Sequence, residues 1–160
     1  MAVEPEAGAG AVLVPGRAPG SLGRAAAWLS KQVELALVEA ELSLPQYRIL
    51  GVLAEGASMP SALAERLAVR RPTITAVVEG LESRGLVERT PDGGDRRSIT
   101  HTLTPRGERL LAKANAAVDA RLTDIAGHLE DPALSERALE GLELWRSAMR
   151  AYGRAKAANS

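Results

Sequence analysis

The chain has no cysteine and no phenylalanine, and its aromatics are two tryptophans and two tyrosines. Without a thiol there is no disulfide, no thiolate metal cluster and no thiol-based oxidation switch. Two histidines, His101 and His128, are too few for a histidine-built metal site. So sparse an aromatic content means that any cavity is lined mainly by Leu, Val and Ala. An excess of one charge is also missing: 20 Lys and Arg balance 20 Asp and Glu. The molecule as a whole is therefore not drawn to nucleic acid, and any such attraction must come from local segregation of charge. No apolar run approaches the length that spans a bilayer. The first residues lack the basic start and long apolar stretch of a secretory signal, so a cytoplasmic protein with no membrane partner is expected. No phosphate-cradling glycine loop, metal-ligand spacing or nucleophile elbow occurs, so neither catalytic residues, metal, cofactor nor enzyme activity is expected.

What is present is a globular composition, 46% hydrophobic and 25% charged. Residues 1–20 are rich in Ala, Gly and Pro without periodicity and are expected to be a disordered tail. Residues 21–160 fit one domain. Ser21 to Leu42 reads as a long amphipathic helix, with Leu22, Ala26, Leu29, Val33, Leu37 and Ala40 three or four apart. Ser43 and Gln46 form a capping box. The helix they open carries Tyr47, Ile49, Leu50, Val52 and Leu53. Near the other end, Thr104-Pro105 is a second helix start, followed by Leu110, Leu111, Ala114, Val118, Leu122 and Ile125. Asp131-Pro132 breaks the chain before a last helix from Leu134 to Tyr152, whose Ala138, Leu142, Trp145, Met149 and Tyr152 share a stripe.

Between these helices, Ser61 to Pro105 holds the stretch on which function depends. Ser61 to Leu67 is a short helix with Leu63, Ala64 and Leu67 on one side. A second helix follows, with Pro72 in its first turn and Ile74, Val77, Val78 and Leu81 on one stripe. Gly85 stops it where a left-handed residue is wanted. Leu86 to Arg89 and Ser98 to Leu103 read as two strands around Asp92-Gly93-Gly94, a hairpin turn. Helix, turn, helix and ribbon make a winged helix-turn-helix. The fold class is therefore mainly α, with a small two- to three-stranded β wing. The winged unit spans 43–104, and dimerisation helices at 21–42 and 105–155 flank it.

In that arrangement, the first turn of the second helix reaches base edges in the major groove. Arg70, Arg71, Thr73 and Thr75 sit there. Arginine forks onto guanine, and threonine offers a hydroxyl and a methyl that suits thymine. Arg96 and Arg97, after Asp95, stand at the ribbon tip, where a narrow minor groove attracts guanidinium. Ser61 is placed to donate to a phosphate, or simply to start its helix. Seventeen of the twenty basic residues are arginine, which suits forked contacts.

The runs RPTITAVVEGLESRGLVERT and GGDRRSITHTLTPRG resemble the MarR family of winged-helix transcription regulators. The matching positions are Arg71-Pro72-Thr73, Leu81 to Val87, Asp95 with Arg97, and Leu103 to Gly107. The likeness runs from about Leu22 to the C-terminus. It departs at Arg70, where members often have a small polar residue, and at Ala76, where they often have a basic one. The resemblance implies a homodimer on a roughly palindromic operator, most simply a repressor, with the wing arginine in the minor groove. It also implies release by a small aromatic or phenolic effector bound between the dimer helices and the DNA-binding unit, with Trp28, Tyr47 and Arg48 as lining. On spacing alone, Trp28 and Tyr47 read as core residues. The flanking helices carry more apolar stripe than one winged unit can cover, which independently favours a two-fold dimer. Zero net charge and Ala76 keep a second reading open, a winged-helix protein-interaction module with little DNA affinity.

Overall fold

The computed structural model of the chain describes residue 18 and residues 20–56, 58–92 and 95–158, with 91, 92, 95–98 and 156–158 described by backbone alone. The expected tail at 1–17 and 19 and the Gly93-Gly94 turn lie outside the described residues. The element order is α1 (Ser21–Leu37), a 3-10 turn (Val38–Ala40), α2 (Leu44–Leu53), α3 (Pro60–Leu67), α4 (Arg71–Ser83), β1 (Val87–Asp92), β2 (Asp95–Leu103), α5 (Pro105–Ala126) and α6 (Pro132–Ala158). No described helix is long and apolar enough to cross a membrane.

The first expected helix is shorter than its periodicity suggested. It ends at Leu37, and Glu41 turns the chain with a φ of 51°. Leu37, Ala40 and Leu42 are all buried, so the chain bends to keep three apolar groups in one core. The capping box forms as read: Ser43 Oγ accepts from the Gln46 amide, and Gln46 Oε1 accepts from the Ser43 amide at 3.0 Å. The last helix is longer than expected at both ends, and it starts early because Pro132 is accepted in its first turn.

The core gathers α1, α2, α3, α4 and α5 around Leu37, Leu50, Leu63, Ile74, Leu81 and Leu86. Buried Leu63, Ala64 and Leu67 brace buried Ile74, Val78 and Leu81, which leaves the opposite face of α4 outside. The turn between these helices carries Ala68 at a φ of 52°. Left-handed backbone crowds a Cβ, yet the Val69 amide still closes onto the Ala64 carbonyl at 3.0 Å. The ribbon is antiparallel, with Val87 opposite Leu103, Arg89 opposite His101 and Pro91 opposite Ile99. Its register shifts between Pro91 and Asp92. A single bridge joins Ser58 to His101, adding a third short piece beside β2.

The exit from α4 is locked onto the start of α5. Gly85 is left-handed, at a φ of 66°. Thr104 caps α5 by accepting from the Gly107 amide at 3.0 Å, while its hydroxyl donates to the Gly85 carbonyl at 2.8 Å. The Thr104 amide donates to the Leu86 carbonyl at 3.1 Å. A Cβ on Gly107 would lie 2.0 Å from that same oxygen. Gly107→Ala must therefore pry α5 from the α4 exit. Chemical denaturation should show a loss of more than about 3 kcal/mol, or no folding. Gly80→Ala, inside α4 with open space around it, should instead gain up to about 1 kcal/mol. Ala68→Gly relieves the left-handed turn and should stabilise by up to about 1 kcal/mol in the same assay.

Candidate nucleic-acid interface

The outer face of α4 presents Arg70, Arg71, Thr73, Thr75 and Ala76, all exposed, on the side away from buried Ile74 and Val78. Arg70 occupies the N-cap position but makes no capping bond, and no acidic residue stands in the first turn. The positive end of the helix is thus left without a neutralising group, an arrangement that favours an anion. The Thr75 hydroxyl donates to the Arg71 carbonyl at 3.1 Å, so this hydroxyl is engaged by its own helix. Ser61 is half-buried in the first turn of α3, where Met59 rather than a serine holds the N-cap position. Asp95, Arg96 and Arg97 lie in the first residues of β2, beside the turn; their side chains lie outside the described residues.

Behind α4, the wing is fastened by a group that spacing alone did not flag. His101 is 1% exposed. Its Nε2 stands 3.1 Å from Glu82 Oε1 on the last turn of α4, and Arg89 Nε stands 3.3 Å from the same oxygen. Strand parity was the available signal: Val87, Arg89, His101 and Leu103 alternate onto one face of the ribbon, the face that carries buried Val87.

Tyr47 and Arg48 line an open groove of about 870 Å³ between α2, α3, α5 and the end of α6. The Tyr47 hydroxyl donates to Asn115 Oδ1 at 2.8 Å, and Arg48 donates to the Leu67 carbonyl at 3.1 Å. Burial, then the charge of Asp119, pushes the Tyr47 phenol above its ordinary value, so it remains a donor at neutral pH. Apolar Val52, Leu67, Leu111 and Met149 share the walls with Arg66, Arg146, Arg150 and Arg154. Trp28 is not among the lining residues, and at 75% exposed it is not in the core of the single chain either. The helical spacing placed it on a stripe but could not say what that stripe faces. Among the described residues, no three His, Asp or Glu side chains converge to hold a metal.

At one wall of the groove, Glu55 accepts from Arg66 of α3 and Arg150 of α6. The Arg66 hydrogen bond above all, with the charges of both arginines, holds the Glu55 carboxyl below its ordinary value against the opposing effect of burial. A lowered folded-state value means that this tie is complete above the ordinary glutamate range and is lost as pH falls through the lowered value. Following the Glu55 carboxyl by NMR through an acid titration should give a midpoint below that of an ordinary glutamate, returning upward in Arg66→Ala.

A model of the MarR family matches residues 40–98. The HTH-type transcriptional regulator FarR of Neisseria gonorrhoeae is 33% identical over 94 residues, covering 58% of this chain and 64% of FarR. The chain thus spans just under two thirds of that relative's length. The HTH-type transcriptional repressor Rv2887 of Mycobacterium tuberculosis is 34% identical over 122 residues, 74% of this chain and 88% of the repressor. Among solved structures, CouR from Rhodococcus jostii RHA1 bound to p-coumaroyl-CoA superposes with a TM-score of 0.66 at 28% identity. That match covers 82% of this chain and 88% of CouR. CouR bound to a 23-mer DNA duplex superposes with the same score, over 79% and 89% of the two chains. Together with the bare start of α4, the ribbon beside it and the α5 junction, these likenesses establish that the chain belongs to the MarR family of transcription regulators.

Proposed function

We propose that the chain is a repressor that binds a roughly palindromic operator as a homodimer and is released by a small effector. The observation that carries this reading is the uncapped, acid-free start of α4, set opposite a buried stripe. Arg71 and Thr73 read base edges in the major groove, and Arg70 and Thr75 flank them. Ser61 approaches a phosphate, while Arg96 and Arg97, with Asp95 beside them, enter the minor groove from the wing. Residues 43–104 form the DNA-binding unit, within a single domain of 21–160.

Dimerisation explains the apolar side chains that the single chain leaves in water. Trp28 and Val38 on α1 and the turn after it, and Leu144, Trp145, Met149 and Tyr152 on α6, are all more than 60% exposed. A patch of this kind marks an interface. A second copy, meeting the first across a two-fold axis, would cover both helices at once. The groove at Tyr47 and Arg48 lies between the DNA-binding unit and these helices, where an aromatic or phenolic effector would alter their relation. CouR supports both halves of the reading, having been seen with DNA and with p-coumaroyl-CoA. A protein-interaction module remains the second reading, favoured by the formal net charge of zero.

Binding to genomic fragments across a salt series separates the two. An operator-binding protein loses affinity with a log–log slope of about −0.9 per phosphate contacted. Arg97→Ala should weaken binding to every fragment and flatten the slope. Arg71→Ala or Thr73→Ala should change which fragments bind, at about 1–3 kcal/mol for each base-reading side chain removed. Salt-independent or absent binding would favour the interaction module. Light scattering at micromolar concentration should report a dimer; a monomer would remove the palindrome.

A further inference from the structure

The groove between the DNA-binding unit and the terminal helices is unequally charged. Its walls carry five arginines, Arg48, Arg66, Arg146, Arg150 and Arg154, against two glutamates, Glu55 and Glu65. In a chain of zero formal net charge, this is a local excess of positive charge in a concave surface, where field lines are focused. Arg146, Arg150 and Arg154 recur every four residues of α6 and so share one of its faces. Arg48 is committed to the Leu67 carbonyl at 3.1 Å, and Arg146 to Glu143 of its own helix at 2.6 Å. Arg66 and Arg150 both meet Glu55. Glu65 pairs with none of the five among the described residues.

Glu55 stands in the turn after α2, with one carboxylate oxygen accepting from Arg66 of α3 and the other from Arg150 of α6. A carboxylate between two guanidinium groups is the arrangement that an incoming carboxylate or phosphate would also adopt. The three side chains are 35%, 44% and 47% exposed. Ion pairs this wet hold weakly, so Glu55 returns to water at little cost. Beside it, Val52, Leu111 and Met149 offer apolar surface in the same groove. We infer that Glu55 is a built-in stopper: the groove takes a ligand with an apolar body and an anionic head, and that head displaces Glu55 from Arg66 and Arg150. The inference rests on the effector reading above and gives that effector its charge.

Displacement follows from charge. With Glu55 in place, a second anion on the same two arginines would sit against a like charge. With Glu55 swung into solvent, both guanidinium groups are open to the head. The exchange also cuts a tie between bodies, because the Glu55–Arg150 contact joins the end of α2 to α6. Arg66 lies in the last turn of α3, whose buried face braces α4. The ligand therefore replaces a link made by the chain itself with one made through the ligand. Its preference for the arrangement with Glu55 released is the unequal affinity that a switch requires.

Calorimetric titration of the full chain at neutral pH tests this with three probes: phenylpropionate, phenyl phosphate and the uncharged phenylpropanol. At least one of the two anions should bind about tenfold more tightly than the alcohol, the scale of one charge-assisted hydrogen bond. Glu55→Gln should raise the affinity for that anion several-fold and leave the alcohol unchanged. Glu65→Gln removes the same charge from the same groove without freeing an arginine, and should raise it less. Arg66→Gln combined with Arg150→Gln should bind anion and alcohol alike. Thermal melting checks that each variant is folded, and Arg150→Gln alone serves if the double variant is not. Equal wild-type affinities for all three probes would overturn the inference while leaving the groove an effector site, as would a Glu55→Gln effect no larger than that of Glu65→Gln. If none of the probes binds, the effector reading itself falls, and the stopper with it.

Discussion

The absent Cβ of Gly107 is the constraint on which the architecture turns. Because nothing projects from that position, the first turn of α5 settles directly onto the Leu86 carbonyl, 2.0 Å from where a methyl carbon would stand. Thr104 completes the joint by capping α5 while donating to Gly85. The left-handed Gly85 lets the chain turn from α4 into the ribbon at the same place. Three elements therefore meet in one backbone knot: the exit of α4, the root of the wing and the origin of α5. In the dimer proposed above, a change in how two copies of α5 and α6 meet would therefore be passed on to α4. Rigid coupling of this kind is what an effector needs if its unequal affinity for two arrangements is to reach the DNA-facing surface.

Charge is distributed to match. With equal numbers of acidic and basic residues, a favourable surface arises only where acids are withheld. The first turn of α4 has none, and its acids, Glu79 and Glu82, stand in the later turns. Glu82 is used as an internal strut, facing His101 and Arg89. Glu55 is used likewise between α3 and α6. Both carboxylates act at joints, away from the bare end of α4.

Local chemistry was legible from the residues wherever a local bond decides the outcome. The Ser43–Gln46 box, the Thr104-Pro105 start and the Gly85 stop were each readable because a side chain or a φ value determines them within four residues. The buried stripes of α3 and α4 were readable for the same reason: helical geometry alone sets which residues share a face. What escaped were the outcomes decided at long range. Nothing in Val38 to Leu42 breaks a helix, and α1 ends because Leu42 must fold back into the core. Helical spacing put Trp28 on a stripe but not which body covers it, since a face buried by the same chain and one awaiting another read alike. The Glu82–His101 contact joins α4 to β2, and only the ribbon register reveals it. The groove is assembled from four helices, so Tyr47 and Arg48 were nameable but Arg150 was not.

The absence of cysteine offers a direct test of the central claim, that terminal helices hold two rigid DNA-binding units at one spacing. A single cysteine introduced at Glu79, on the exposed side of α4, takes one spin label per chain without background reaction. Electron–electron distance measurement on the dimer should give one narrow distribution near the spacing of successive major grooves, about 34 Å. An added effector should shift it and operator DNA restore it. A broad distribution unaffected by DNA, or no dipolar coupling at all, would contradict the account.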